Sequence, residues 1–165
     1  MDAGAACVAA LSDSDARVRA GALEELRGSI IGGESEDDGG HDDARLSLLA
    51  YSSPGPLFAR FADPSEKIRS DSVALAGAIL RRLGGVGGED DGSAASDFCV
   101  CLCGAVSGRL GWTEAGTESV EPSEEIRNLL AVLLDEIVGS EVRLDDDAAD
   151  VTCRAAAHCL ADPHP

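Results

Sequence analysis

Three stretches of the chain place apolar residues on a helical period behind the same polar opening. The first is Asp13-Ser-Asp-Ala-Arg-Val18-Arg19-Ala-Gly-Ala22-Leu23-Glu-Glu-Leu26 and the second is Asp63-Pro64-Ser-Glu-Lys-Ile68-Arg69-Ser-Asp-Ser72-Val73-Ala-Leu-Ala76. The third is Glu121-Pro122-Ser-Glu-Glu-Ile126-Arg127-Asn-Leu-Leu130-Ala131-Val-Leu-Leu134. Each opens with an acid, runs four residues, and then has Val or Ile followed by Arg. Small or apolar residues follow three and seven positions after the Arg, and an aliphatic residue comes later at Ile30, Leu80 and Val138. Steps of three and four predict a helix in each stretch. In the third, Ile126, Leu129, Leu130, Leu133, Leu134, Ile137 and Val138 form a stripe wide enough to be buried on a neighbouring helix.

The head of each stretch has the chemistry of a helix start. Asp13, Asp63 and Glu121, or the Ser behind them, can accept from amides that the first turn leaves without partners, and acids there complement the helix dipole. Pro64 and Pro122 suit the first helical turn, where no N–H is needed. Leu160-Ala161-Asp162-Pro163 repeats Phe61-Ala62-Asp63-Pro64, so a fourth junction begins as the sequence ends. The chain therefore reads as an amino-terminal piece of a longer repeat protein.

Upstream of the junctions lie four candidate partner helices, about Ala3 to Leu11, Leu46 to Phe61, Ala94 to Leu110 and Ala148 to Leu160. The third carries Phe98, Leu102, Val106 and Leu110 at four-residue steps. The second is interrupted by Ser52-Ser-Pro54-Gly55-Pro56 and is expected to break in two. Partner helix and junction helix together make a helical hairpin. Such a hairpin covers its apolar stripe only by stacking on the next one.

The junction acids Asp13, Asp63, Glu121 and Asp162 stand 50, 58 and 41 residues apart, against roughly 40 to 47 for HEAT or armadillo units. The organisation expected is a first repeat over 1–31, an acidic glycine-rich loop over 32–43, a second repeat over 44–83, and a second such loop over 84–93. A third repeat follows over 94–138, and 139–165 holds the first helix of an incomplete fourth. The 111–120 connection carries the only tryptophan.

Composition agrees with an all-α chain: 44% of residues are hydrophobic but only 3% aromatic, a balance that favours closely packed helices. With 13 basic and 31 acidic residues the formal net charge is −18. That field repels phosphate backbones and anionic lipid, so nucleic acid and membrane are excluded as partners, and basic or mixed-charge proteins are the partners expected. The opening Met1-Asp2-Ala3-Gly4 has no basic, apolar leader pattern, and a cytoplasmic location is expected, with the six cysteines as buried reduced thiols.

The residue types that could carry chemistry do not assemble into a site. On a helix Cys99 and Cys103 share a face while Cys101 points elsewhere, so the three do not converge as metal ligands. His41, His158 and His164 have no acid or nucleophile at motif spacing. Asp42-Asp43 and Asp145-Asp146-Asp147 lack the alternating calcium pattern with its distal Glu. Gly84-Gly85-Val-Gly87-Gly88 lacks the Lys-Ser/Thr of a phosphate loop and runs into Glu89-Asp90-Asp91. No catalytic residue, cofactor, metal or small-molecule substrate is expected.

The acid, four residues, Val or Ile, then Arg frame resembles the HEAT-repeat family. The resemblance implies an α-solenoid of stacked antiparallel hairpins in which the acid and Arg form a ladder of polar contacts. The structural positions it implies are Asp13, Val18, Arg19, Asp63, Ile68, Arg69, Glu121, Ile126, Arg127 and Asp162. Within that family, Ala22-Leu23-Glu-Glu-Leu26-Arg27, Leu57-Phe-Ala-Arg-Phe61-Ala-Asp63-Pro64, Glu124-Glu-Ile-Arg127-Asn-Leu-Leu-Ala-Val-Leu-Leu134 and Leu144-Asp145-Asp146 are similar to the amino-terminal repeats of the dynein axonemal assembly factor 5 family. That likeness implies a cytoplasmic scaffold that helps preassemble dynein arms, with dynein chains and co-chaperones as partners. Two rivals remain, a general HEAT adaptor of phosphatase, transport or tubulin-binding type, and a HEAT-like bilin lyase.

Overall fold

The computed structural model describes residues 3–31, 46–52, 55–85, 93–111 and 121–139, with 146, 149–150, 153–154 and 157. All secondary structure among these residues is helical, so the chain is all-α. It divides into two compact units, Met1–Arg82 and Leu83–Pro165.

The first unit opens with helix α1 (Ala3–Ala10), a tight turn and helix α2 (Ala16–Ile31), packed against each other. Cys7 and Val8 from the first helix, Leu11 from the turn, and Ala22, Leu23, Leu26 and Ile30 from the second helix are buried. The residues before the second junction form no continuous helix. A π turn (Leu48–Ser52), a single-turn helix α3 (Gly55–Phe58) and a 3-10 turn (Ala59–Ala62) follow one another, as the Ser-Ser-Pro-Gly-Pro run predicts. The π turn and α3 lie against α1, and Leu57 and Phe61 are buried. Helix α4 (Glu66–Gly85) then buries Ile68, Val73, Leu75, Ala76, Ile79 and Leu80.

Two contacts set α2 against α4. Near the start of both helices, Arg19 reaches Asp63; near their ends, Arg82 Nη1 donates to the Ile30 carbonyl at 2.7 Å. Start meets start and end meets end, so the two helices run side by side in the same direction. The second contact also supplies a donor to one of the carbonyls that the last turn of a helix leaves open.

The second unit contains helix α5 (Ser93–Arg109) and helix α6 (Glu124–Gly139), which pack together. Phe98, Leu102, Val106 and Leu110 are all buried, the stripe expected from their four-residue spacing. Gly111 has φ 83°, the left-handed conformation that ends a helix without a side-chain clash. The Glu121 amide donates to the Arg109 carbonyl at 3.1 Å, which brings the chain back to the end of α5.

The structure corrects several expectations. In α6, Ile126, Leu130, Leu133, Leu134 and Ile137 are buried, but Leu129 and Val138 are exposed together with Val132, so the buried stripe is narrower than the sequence suggests. The helices start at Glu66 and Glu124, two residues beyond Pro64 and Pro122, because the acid folds the intervening residues into a turn. The 84–93 loop is shorter at both ends, since α4 runs to Gly85 and α5 starts at Ser93. The 32–43 loop, Trp112, the three histidines and Asp162 lie outside the described residues.

Candidate functional site

The three repeated junctions fold the same way. In each, the opening acid accepts the amide two residues on: Asp13 Oδ1 from Asp15 at 2.7 Å, Asp63 Oδ1 from Ser65 at 3.0 Å and Glu121 Oε1 from Ser123 at 3.1 Å. The chain turns, and the following helix brings the arginine back over the turn six residues after the acid. Arg19 Nη1 donates to the Asp13 and Ser14 carbonyls at 2.8 and 2.9 Å. Arg69 Nη1 donates to the Asp63 and Pro64 carbonyls at 2.9 and 3.4 Å. Arg127 Nη1 donates to the Glu121 and Pro122 carbonyls at 3.0 and 3.2 Å. Backbone bonds Arg19 to Asp15, Arg69 to Ser65 and Arg127 to Ser123 complete the module.

Arg19 uses only Nη1 in this way, and its Nε and Nη2 bind another group. In the first unit that group is Asp63: Arg19 Nε donates to Oδ2 at 2.8 Å and Nη2 to Oδ1 at 3.1 Å. The arginine of one junction thus grips the acid of the next in the planar two-bond geometry that guanidinium and carboxylate share. Arg60 Nη1 adds a third cationic bond to Oδ2 at 3.1 Å.

The Asp63 side chain is wholly buried, which makes these donors necessary. Burial pushes its carboxyl up. The Arg19 hydrogen bond, the Ser65 amide and the charges of Arg19 and Arg60 outweigh that and hold it below the usual carboxylate value. Arg19 is correspondingly raised, chiefly by its hydrogen bond to Asp63.

Glu121 is also buried and takes Arg109 Nη2 at 2.6 Å. Arg60 and Arg109 therefore do similar work, each reaching a junction acid from the structure just before it. Neither belongs to the repeated frame. Arg60 stands one helical step before Asp63 and so had a local signal; Arg109 and Arg82 act on residues that the sequence does not mark as near.

Val18, Ile68 and Ile126 hold one register position but differ in exposure, at 42%, 2% and 2%. Cys99 and Cys103 are buried on one face of α5 and Cys101 is exposed, as helical spacing predicts. Burial and then the neighbouring Cys103 push the Cys99 thiol up to about 12. Cys7 is buried too, whereas Cys101 and Cys153 are exposed, so the expectation that the cysteines are interior holds for only some of them. Among the described residues no group of three His, Cys, Asp or Glu side chains is placed to hold a metal ion, and no described helix is long and apolar enough to cross a membrane.

Compared with family models, with curated proteins and with solved structures, the chain matches none. A reading of function rests on the residues themselves.

Proposed function

We propose that this chain is a non-catalytic protein-binding scaffold of HEAT type, an α-solenoid in which successive hairpins stack with their junction helices parallel. The observation that carries the reading is the double hydrogen bond from Arg19 to Asp63, with Arg82 on the Ile30 carbonyl at the far end of the same two helices. An arginine that closes its own turn through the backbone and holds the next acid through its side chain links one hairpin to the next.

The more specific reading is a cytoplasmic factor for preassembly of axonemal dynein arms. It rests on the order and wording of the segments from Ala22 to Leu134 and at Leu144-Asp145-Asp146, and on an acidic surface suited to basic or mixed-charge proteins. Function then resides in an extended helical surface, with recognition spread over many residues.

The experiment is affinity capture with the tagged chain from cells that are building motile cilia, probed for dynein heavy and intermediate chains and for tubulin. Dynein chains retained at physiological salt, with tubulin absent, are the expected result. Tubulin without dynein chains would replace this reading with a tubulin-binding adaptor.

A further inference from the structure

The first junction is built like the second but is not filled like it. Asp63 receives the fork of Arg19 in addition to its own turn amide. Asp13 has the same turn amide, from Asp15, but among the described residues no guanidinium bonds its carboxylate, and it is exposed. Beside it, Val18 is open to solvent where its counterpart Ile68 is buried. Val18 lines a groove of about 460 Å³ between α1 and α2, together with Ala6, Cys7, Ala10, Ala22 and Glu25.

An acid ready for an arginine is what the second junction offers to α2 inside the first unit, and the first junction has beside it the apolar groove that Val18 lines. We propose that Asp13 and this groove dock an amphipathic helix of another protein, one that presents an arginine beside a small or aliphatic stripe. Charge favours such a partner. Asp13 and Asp15 are at this end beside the exposed Arg17, Arg19 is committed to Asp63, and the chain as a whole carries −18. The same net charge opposes a second copy of this chain as the occupant. The groove is lined by Ala6, Ala10 and Ala22, small residues that let a helix approach closely, and the exposed Val18 offers an aliphatic contact.

The inference uses the stacking register of the proposed scaffold but names a surface and a partner chemistry which that reading does not. Its test uses the full chain and a fluorescein-labelled, end-blocked peptide with the sequence of Ala16–Ile31, the helix that fills the equivalent place at Asp63. Gly21 and Gly28 are replaced by Ala in the peptide to favour helix, since a Cβ at either meets nothing within 4 Å. Saturable binding by fluorescence anisotropy is expected. It should weaken about tenfold with Asp13→Asn in the chain, and by a similar factor with Arg19→Gln in the peptide, the loss that follows when a charge-assisted pair is removed. Asn still accepts the Asp15 amide, so Asp13→Asn should keep the circular dichroism of the chain, with at most a small drop in melting from the lost charge at the helix start. Val18→Asp, exposed and thus tolerated by the fold, should abolish binding.

No binding, or binding that Asp13→Asn leaves unchanged, overturns the proposal. So does self-association of the unmodified chain in sedimentation that Asp13→Asn abolishes, which would give the groove to a second copy. The scaffold reading is judged separately, by how Arg19→Gln within the chain changes its melting. A failed peptide titration with a destabilised Arg19→Gln chain removes only the docking surface.

Discussion

Arg19 and Asp63, 44 residues apart in sequence, meet through two hydrogen bonds of 2.8 and 3.1 Å inside the first unit. Removing the acid leaves a guanidinium oriented toward an empty interior position. Asp63→Ala is expected to lower unfolding stability by about 3 kcal/mol, the usual cost of breaking one side of a buried pair. Urea denaturation measures it, with the exposed Glu24→Ala as a control that stays near the unmodified value. The double variant Arg19→Met with Asp63→Leu should recover only part of the loss, because it removes the stranded guanidinium but leaves Arg60, the Ser65 amide and the Asp13 and Ser14 carbonyls without the partners they had.

The acid limb of the stability profile should carry the signature of the same carboxylate. Asp63 in the folded chain sits below the usual carboxylate value, so its contribution is complete above about 3.9, the ordinary Asp value. The contribution drains away as pH falls through the lower folded value. The chain carries 31 acidic side chains, so the quantity to follow is the difference between the unmodified chain and Asp63→Asn. That difference should be constant from neutral pH to about pH 5 and shrink below pH 4. A difference that grows toward low pH would contradict the pairing.

Thiol chemistry should divide the cysteines by environment. Cys101 and Cys153 are exposed, whereas Cys7, Cys99 and Cys103 are buried and the Cys99 thiol is pushed up to about 12. Ellman's reagent at pH 8 should react quickly with Cys101 and Cys153, because a thiolate that solvent can reach is the reactive species. Cys101→Ser and Cys153→Ser should each remove about one thiol from the fast phase, and Cys99→Ser should leave that phase unchanged.

Two glycines near one another should respond with opposite signs. Gly111 holds φ 83° at the end of α5, so Gly111→Ala is expected to cost about 1 kcal/mol. Gly104 lies within α5, exposed, with open space where a Cβ would go, and Gly104→Ala should stabilise by about 1 kcal/mol. Thermal unfolding of the two single variants checks both.

What could be foreseen from sequence was what depends on neighbours a few residues away. The six-residue step from acid to arginine at Asp13 and Arg19 is short enough to be read as one unit, and so are the four-residue steps of Phe98, Leu102, Val106 and Leu110. The break between Leu46 and Phe61 followed from Pro54, Gly55 and Pro56. Exposure could not be foreseen in that way. Val18 and Ile68 occupy the same register and are both β-branched aliphatics, yet one is exposed and the other buried, and Leu129 and Val138 are as apolar as Leu130 and Leu134 but lie off the buried face. Pro64 and Pro122 stand before the first helical turn and not within it, because the side chain of the preceding acid, not the ring, decides where that turn begins. Arg82 and Arg109 act across distances that the spacing of residues does not encode.

The arginine of each junction holds its turn by main-chain carbonyls alone: those of Asp13 and Ser14, of Asp63 and Pro64, of Glu121 and Pro122. A carbonyl is the same in every residue, so beyond its opening acid the turn asks little of the side chains it carries, and Ser and Pro serve equally in its second place. The module is written in very few letters. Most of its positions are free to drift without disturbing its shape, and such a chain can keep its architecture long after its spelling has become its own.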